Sequence, residues 1–292
     1  MKRVLFIYNP VSGTGVVRKK MFEIVQYYNN NECLVTMCPV LKMNELKPDD
    51  FDGYDRVVVS GGDGTLNNFI GYTDELNLDF PIAYIPAGST NDYANTLGLP
   101  GNLMEALDTS IKGKEQAVDM GRFNDSNFLY VAAFGIFTKV VYTTPQEIKN
   151  VMGYSAYILE GIKVVSELTT YKLELTIDDK FYEGDFLLGL VTNSLSVGGM
   201  KNRASHDMSL DDGLYEVMFV RAPKNIIELN RIVKALASGK PDEAGELIIL
   251  DKGAHITVEH DTTTAWTLDG EYGGEQRHVD ISILKKKFRI IV

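Results

Sequence analysis

The residues best suited to chemistry lie in one glycine-rich stretch, VVVSGGDGTLNN, from Val57 to Asn68. Its three valines predict a short strand that is buried on both faces, as in a parallel sheet. The glycines around Asp63 then break the strand, and Thr65 can cap a helix whose first turn begins around Leu66. Glycines permit positive φ and let a ligand approach bare backbone, and the positive end of a helix dipole favours an anion. The stretch therefore predicts a phosphate-binding loop, with a plain strand-to-helix turn as the alternative.

Neither the GxxxxGK[ST] loop nor the GxGxxG fingerprint is present, so this phosphate site is of a different kind. Two more loops rich in small and polar residues also follow predicted strands. Ligands of parallel α/β sheets bind at the carboxyl ends of the strands, so we expect the loops to converge at that edge. The three loops are Asn9–Gly15, Ser60–Asn67 and Pro86–Asp92.

Short apolar strands alternate with helices over the first 120 residues, which predicts a Rossmann-like parallel α/β sheet with right-handed crossovers. The helix after the first strand is expected at about residues 16–29. The predicted strands are Val4–Tyr8, Leu34–Val40, Arg56–Ser60 and Ile82–Ile85.

Beyond about residue 119 the pattern changes to strands joined by short turns, such as a hairpin turn at Asp178-Asp179. Helices are expected to interrupt at about residues 154–168 and 226–238. We therefore predict two domains, an α/β domain over residues 1–120 and a mostly antiparallel, β-rich domain over residues 121–285. The last apolar stretch, about residues 286–292, is predicted to be a strand that returns to the first domain.

Composition excludes several classes of protein. A net charge of −11 argues against a general nucleic-acid binder, which needs a basic surface, and against adsorption to an anionic membrane by net charge alone. Hydrophobic content of 45% is ordinary for a soluble protein, and no run of about 18 apolar residues predicts a transmembrane helix. Cys33 and Cys38 are the only cysteines, so no disulfide framework is expected and a cytoplasmic location fits best. The four histidines lack zinc-ligand spacing and are interpreted as structural or surface residues.

Two acidic clusters lie in the predicted second domain, at Ser209–Leu214 and Leu268–Glu271. Phosphoryl transfer needs a divalent ion to neutralise phosphate charge and a group that accepts a hydroxyl proton. Magnesium prefers oxygen ligands, so a turn that combines a carboxylate with backbone carbonyls could hold it. For each Asp-Gly pair in these clusters, the alternative is a simple hairpin turn.

Taken together, these motifs resemble the lipid kinase family built on the diacylglycerol kinase catalytic domain. The GGDGT element alone is shared with NAD kinases and phosphofructokinase-like folds, but the matching motifs span nearly the whole chain. They are Asn9-Pro10-x-Ser12-Gly13, Gly61-Gly62-Asp63-Gly64-Thr65-x-Asn67, Pro86-x-Gly88-Ser89-x-Asn91-Asp92-Tyr93-Ala94, Asp212-Gly213 and Leu268-Asp269-Gly270-Glu271.

The resemblance implies an ATP-dependent kinase that acts on a lipid hydroxyl, with the nucleotide in the cleft between the domains. It implies that Asp63 holds the magnesium–phosphate network, that Glu271 is the general base, and that Ser209, Asp212 and Leu214 form a second, more structural Mg2+ site. The residues that it places around the nucleotide are Asn9, Pro10, Val11, Ser12, Gly13, Gly61, Gly62, Asp63, Gly64, Thr65, Leu66, Asn67, Ser89, Asn91 and Asp92.

The sequence departs from the family pattern at Asn68, where glutamate usually follows GGDGTxN, which removes a carboxylate near the nucleotide. Residues 202–208 also lack the proline that often precedes the Asp211-Asp212 pair. The acceptor implied is diacylglycerol or a related lipid alcohol, met at a membrane surface by transient association, and a homodimer is left open. Two alternatives remain: a kinase of a soluble acceptor, as in NAD kinase, and a non-catalytic nucleotide or lipid sensor.

For the lipid-binding site, the sequence leaves two interpretations of each candidate segment. Apolar residues in the segments 135–142, 151–157 and 158–165 could line an acyl-chain site or pack in an ordinary core. The basic run from Lys285 to Arg289 could face a bilayer or form a solvated strand edge.

Overall fold

The computed structural model describes residues 1–12, 15–88, 91–135, 168–194, 196–197, 200–201 and 209–292. The α-helices are α1 (Val16–Lys19), α2 (Met21–Asn30), α3 (Asp63–Glu75), α4 (Asp92–Thr96), α5 (Leu103–Lys112) and α6 (Ile226–Ser238). Short 3-10 helices cover Met43–Glu45, Pro48–Phe51 and Pro241–Leu247. The strands are β1 (Lys2–Tyr8), β2 (Cys33–Pro39), β3 (Arg56–Gly61), β4 (Ile82–Pro86), β5 (Glu115–Phe123), β6 (Ser126–Phe128), β7 (Val131–Gly135), β8 (Tyr171–Ile177), β9 (Lys180–Thr192), β10 (Ser196–Val197), β11 (Met200–Lys201), β12 (Tyr215–Arg221), β13 (Ile248–Gly253), β14 (His255–Leu268) and β15 (Glu271–Ile291).

The first four strands form a parallel sheet in the order β2-β1-β3-β4. Side chains alternate between its two faces: Leu5 and Ile7 pack with α3, while Val4 and Phe6 pack with α2 and α5. Helices cover both faces, which explains why the β3 strand reads as an uninterrupted run of valines. The alternation of strands and helices thus predicted this α/β region.

The rest of the sheet is mostly antiparallel. Within the described residues, β1–β9 and β12–β15 form one 13-stranded sheet, and β10 pairs with β11 separately. The β15 strand connects the two regions: it pairs antiparallel with β14 and β5, and its end pairs in parallel with β4 at Ile290 and Ile291. A predicted domain limit at residue 285 therefore falls inside one long strand. The pairing of β15 with β5 shifts register between Leu284 and Phe288, as at a β-bulge, and the strand continues beyond the shift. The division near residue 120 stays a prediction.

Several local predictions can be compared with the observed elements. The α6 helix has the predicted bounds, and the Asn225 side chain caps it by accepting the backbone N–H groups of Ile227 and Glu228. Asp178-Asp179 is a two-residue hairpin turn between β8 and β9. The predicted first helix is instead two helices, α1 and α2, that meet at Lys20. Of the helix predicted at about residues 154–168 and the candidate acyl-chain segments, only Leu168 and Gly135 are described, and the other residues lie outside the described part of the chain.

One hydrophobic cluster continues from the α/β region into the β-rich region. It contains Leu66 and Phe69 of α3 together with Val118 of β5, Tyr130, and Phe288 of β15. Packing of this kind resists relative displacement of the elements that carry it. The loops that follow β3 and the turn between β14 and β15 are therefore held opposite one another. No helix in the described part of the chain is long and apolar enough to cross a membrane.

Candidate active site

The glycine-rich turn after β3 is shaped by close packing. The α3 helix begins at Asp63, with Gly62 as its N-cap in extended conformation (φ −84°, ψ 178°). The prediction that Thr65 caps this helix is wrong, because the Thr65 N–H already donates to the Gly62 carbonyl within the first helical turn (2.9 Å). The Thr65 side chain packs against Gly61 instead, where any larger residue would clash, because a β-carbon at Gly61 would lie 2.4 Å from the Thr65 Oγ1 atom.

The loop after β4 packs directly against this turn. A β-carbon at Gly88 would lie 2.6 Å from the Gly62 Cα atom. Asn91 holds the loop, because its side chain accepts the Gly88 N–H (2.9 Å) and donates to the Gly88 carbonyl (3.1 Å). None of Gly61, Gly62, Gly64 or Gly88 has positive φ, so the positive φ that glycine permits is not used at these positions. Gly62 and Gly88 are small because two backbones meet, whereas Gly61 leaves room for the Thr65 side chain.

The loop after β1 completes the arrangement. The Asn9 N–H donates to the Ser60 carbonyl (3.1 Å), and the Ser12 hydroxyl lies 3.4 Å from the Thr65 hydroxyl. The Ala87 N–H donates to the Gly61 carbonyl (2.7 Å), which joins the second and third loops. The three loops therefore meet at the carboxyl edge of the parallel strands, as the topology predicts.

Asp63 lies at the centre of these loops and is buried. Its Oδ2 atom accepts the Asp92 N–H (2.8 Å), whereas its Oδ1 atom is buried without a hydrogen-bond partner in the described structure. Burial raises the pKa of Asp63 to about 6, and the nearby Asp92 carboxylate adds to the rise, although hydrogen bonds from backbone N–H groups oppose it. An unpartnered buried carboxylate oxygen is costly, so this atom is a suitable ligand for a cation or a water molecule.

Glu271 faces the α3 N-terminus across the cleft. Asp269 and Gly270 form a two-residue turn between β14 and β15, in which Leu268 pairs with Glu271 and both central residues have positive φ. This is the backbone geometry of a type I′ hairpin, so the simple-turn interpretation of the motif is correct as geometry. The turn places the exposed Glu271 so that a β-carbon at Gly64 would lie 3.6 Å from the Glu271 Oε1 atom. Gly64 thus leaves room between the helix and the carboxylate.

Asp269 is a residue whose role sequence reasoning missed. Its buried carboxylate accepts three consecutive backbone N–H groups, those of Leu129, Tyr130 and Val131 (2.7–3.0 Å). Burial raises the pKa of Asp269 to about 7 against the lowering effect of these donors. The contacts fasten the turn that carries Glu271 to the start of β7. The motif contained the residue, but no local signal reveals a partner about 140 positions away in the chain.

The 209–214 loop is fastened in the same manner by Asp119. This fully buried carboxylate accepts the N–H groups of Gly213 (2.6 Å) and Lys286 (2.7 Å). Close to the predicted second magnesium site, the Ser209 hydroxyl donates to Asp211 (2.8 Å), and the Lys285 ammonium donates to the Asp212 carbonyl (3.1 Å).

The Leu214 N–H donates to the Asp212 side chain (3.0 Å), so that carboxylate closes a local turn. In the described part of the chain, no group of three or more His, Cys, Asp or Glu side chains is arranged to hold a metal ion. The magnesium site at Ser209, Asp212 and Leu214 therefore stays a prediction, because it consists of one carboxylate and backbone carbonyls rather than a cluster of acidic side chains.

A cavity of about 590 Å3 lies beside the loops. Its walls include Asn9 and Thr65 at one end, Tyr72 and Glu75 of α3 at the other, and the β5–β6 turn at Asp125–Asn127. Asn67 and Asn68 also line it, so the position where the family pattern has glutamate faces the cavity. Leu66 differs from its neighbours because its side chain is fully buried in the core, which leaves only its backbone for ligand contact. Gly13 and Ser89 lie outside the described residues.

Glycine-rich loops at the carboxyl ends of parallel strands, with a carboxylate opposite, form the arrangement of a phosphotransferase site. The family model for the diacylglycerol kinase catalytic domain matches residues 3–123. A diacylglycerol kinase of Bacillus subtilis (strain 168) is 30% identical over 98% of this chain and 98% of its own length. A diacylglycerol kinase of Staphylococcus aureus (strain NCTC 8325) is 28% identical over 96% of this chain and 92% of its own length.

Two solved structures have a similar fold over nearly the whole chain. A crystal structure of a candidate diacylglycerol kinase from Bacillus anthracis str. Sterne has a TM-score of 0.78 and 25% identity, and covers 99% of this chain and 95% of that one. A second crystal structure, a diacylglycerol kinase of the same organism, has a TM-score of 0.71 and 22% identity, and covers 99% and 96% of the two chains. The chain belongs to the diacylglycerol kinase family, so the resemblance seen in the sequence is confirmed, and the protein is a kinase.

Proposed function

We propose that this protein transfers the γ-phosphoryl group of ATP to the hydroxyl of diacylglycerol or a related lipid alcohol. The observation that carries the proposal is the Glu271 carboxylate, held opposite Gly64 at the N-terminus of α3. A proton acceptor and a phosphate-binding helix end thus face the same space. Residues 1–120 would then supply the nucleotide site, and residues 121–285 would supply the acceptor site.

The cavity beside α3 has the dimensions of a nucleotide site. Its volume lies within the usual range for small-molecule pockets. From Thr65 to Glu75 the α3 helix rises by about 15 Å, close to the length of an extended ATP molecule. The phosphates would lie at the Thr65 end, where loop N–H groups and the helix dipole favour anions, and the base would lie toward Tyr72.

Glu271 would accept the proton of the acceptor hydroxyl. Phosphoryl transfer through a loose transition state needs positioning more than early deprotonation, so a carboxylate that takes the proton late is sufficient. The Asp269 clamp supports this role, because it fixes the turn that holds the carboxylate in place. The rigid position of a general base is part of its efficiency.

Magnesium would enter with the nucleotide and, when bound, would neutralise charge on the phosphates. The unpartnered Oδ1 atom of Asp63 supports that residue as the group of this chain that would hold the ion, directly or through water. The raised pKa of Asp63 would return toward its ordinary range beside a cation, because a nearby positive charge favours the carboxylate.

The basic run at the end of the chain gives little support to membrane docking. Lys286, Lys287 and Arg289 pair with Asp211, Asp74, Asp79 and Glu115 of the same chain. The basic run from Lys285 to Arg289 is therefore better interpreted as a solvated strand edge than as a surface that faces a bilayer. Transient contact with a bilayer would have to use another surface.

The function is tested by transfer of labelled phosphate from ATP to a panel of lipid alcohols in mixed micelles, and to soluble acceptors without micelles. We expect one lipid to be phosphorylated, and Glu271→Gln to lower turnover by about 10²–10⁴-fold while ATP binding is retained. Asp63→Ala should abolish turnover. Phosphorylation of a soluble acceptor alone would indicate the NAD-kinase-like alternative, and ATP binding without any transfer would indicate a sensor. Turnover in Glu271→Gln equal to that of the unmodified protein would exclude this residue as the base.

A further inference from the structure

The three phosphate-binding loops lack basic side chains. The segments 9–15, 60–67 and 86–92 contain no lysine or arginine, and they contribute the buried carboxylates of Asp63 and Asp92. In these loops, only backbone N–H groups and one helix dipole would therefore offset the negative charge of a triphosphate, and two carboxylates lie next to them. Even with magnesium bound, a nucleoside triphosphate keeps net negative charge, so a nearby cation would strengthen its binding.

Lys42 is the basic residue among those that line the cavity, whose other charged members are Glu75 and Asp125. Its segment is fastened at both ends. The Val40 N–H donates to the Tyr8 carbonyl (2.9 Å), next to the first phosphate loop, and the Tyr72 hydroxyl donates to the Leu46 carbonyl (2.6 Å) at the other end of the cavity. Lys42 lies between these two points, so its long side chain starts from a held position along the cavity wall.

The Lys42 ammonium makes no ion pair or side-chain hydrogen bond within the described part of the chain. The nearby backbone is ordered by the Glu45 N–H, which donates to the Lys42 carbonyl (3.1 Å). The basic residues Lys286, Lys287 and Arg289 are different, because each is neutralised by a carboxylate of the same chain. Lys42 is thus available to an anion, and it lies on the cavity that holds the proposed nucleotide.

We infer that Lys42 binds the phosphate chain of the nucleotide and supplies the positive charge that the three loops lack. The inference rests on the proposed function, since it needs a nucleoside triphosphate in this cavity. Lys42 is a positioning residue for the phosphates and takes no part in proton transfer. Its contribution is electrostatic, so it depends on the charge of the ligand and weakens with added salt.

The experiment measures binding of ATP and of adenosine to the full chain by calorimetry, in the presence of magnesium. Variants Lys42→Met and Lys42→Arg are compared with Lys47→Met, which removes an exposed lysine of the same segment that does not line the cavity. We expect Lys42→Met to weaken ATP binding about tenfold, which corresponds to about 1.4 kcal/mol of binding free energy. Adenosine binding should stay within twofold of that of the unmodified protein. Lys42→Arg should restore ATP binding to within about threefold, and Lys47→Met should have no effect.

In turnover assays, Lys42→Met should raise the KM for ATP and leave kcat nearly unchanged. The salt dependence of ATP binding should also be shallower in Lys42→Met than in the unmodified protein. Equal weakening of ATP and adenosine binding would mean that the side chain acts through packing, and would overturn the inference. Unchanged ATP binding in Lys42→Met would overturn it as well while leaving the proposed function intact. If the unmodified protein binds no ATP, the proposed function and this inference both fail.

Discussion

The two halves of the cleft position their functional groups by different means. In the α/β region, glycines allow close packing: Gly88 lies against the Gly62 backbone and Gly61 lies against the Thr65 side chain, and neither Gly88 nor Gly61 has room for a β-carbon. In the β-rich region, buried carboxylates hold backbone N–H groups: Asp269 fastens the turn before Glu271, and Asp119 fastens the 209–214 loop to the β15 strand. The first arrangement depends on the absence of side chains, and the second depends on particular side chains.

This difference has a physical origin. In the proposed function, the α/β loops present bare N–H groups to phosphate, so a side chain there would fill the space that the ligand needs. In the same proposal, the β-rich side holds a charged side chain, Glu271, at a fixed place beside a two-residue turn. A carboxylate that accepts several N–H groups gives a stiff anchor, but it must be buried and its loss leaves those donors unsatisfied.

The largest effect that we expect comes from removing the Asp269 clamp. In Asp269→Ala, three buried backbone N–H groups lose their acceptor, so the free energy of unfolding should fall by about 3–5 kcal/mol. Turnover should fall as well, because the turn that holds Glu271 is released. Chemical denaturation measures the first change and the phosphotransfer assay the second.

Asp178→Ala is the matched control for Asp269→Ala. Asp178 also lies at a hairpin turn with positive φ, but its carboxylate is exposed where it accepts the N–H groups of Ala254 and His255. Its removal should lower the free energy of unfolding by about 1 kcal/mol and leave turnover unchanged. Equal losses in the two variants would show that burial of the Asp269 carboxylate is not what makes the clamp strong.

A smaller effect is expected from the α/β side, in Gly61→Ala. The new β-carbon would lie 2.4 Å from the Thr65 Oγ1 atom, so the turn must shift, at about 1–3 kcal/mol of stability. ATP binding should weaken too, because the shifted backbone is the proposed phosphate contact. Differential scanning calorimetry measures the stability, and isothermal titration calorimetry measures the binding of ATP.

Gly71→Ala provides the control within the same region. Gly71 lies inside α3 and a β-carbon there would have no heavy atom within 4 Å, so alanine should stabilise the helix by about 0.5–1 kcal/mol. An increase in stability for Gly61→Ala as well would contradict the close-packing explanation of the turn.

A further effect is a pH dependence that comes from a histidine of the β-rich region. All four histidines lie beyond residue 200, and His260 is buried, where its Nε2 atom accepts the Trp266 N–H (3.3 Å). Burial lowers the pKa of His260 to about 4, although Glu259 opposes the shift. Stability from the neutral imidazole is complete above pH 6.5, its unfolded value, and is lost as the pH falls toward 4, because the unfolded chain binds the proton first.

Relative to His260→Gln, the unmodified protein should therefore lose about 1–2 kcal/mol of stability between pH 7 and pH 5. Comparing the two proteins isolates His260 from Asp63 and Asp269, whose raised pKa values act in the opposite direction over this range. Parallel stability curves for the two proteins would contradict the prediction.

Local pattern was sufficient for much of the molecule. Valine runs, glycine-rich breaks and Asp-Gly pairs depend on neighbours in the chain, so the parallel strands, the α6 helix and the hairpin turns could be predicted from sequence. The start of α3 could not, because Gly62 and Thr65 compete for the cap and only the packing of Gly61 against Thr65 decides between them.

The sequence alone determined the family, the three loops at one edge of the sheet, and the carboxylates available for chemistry. Tertiary structure decided which of these carboxylates are anchors. Asp269 meets its partners about 140 residues away, and Asp119 meets Lys286 at a separation of 167 residues. Such contacts leave no local pattern, since they form only when packing removes both groups from water and makes an unpaired N–H costly. The same packing paired the C-terminal basic residues with acidic groups of other elements and left Lys42 on the cavity wall.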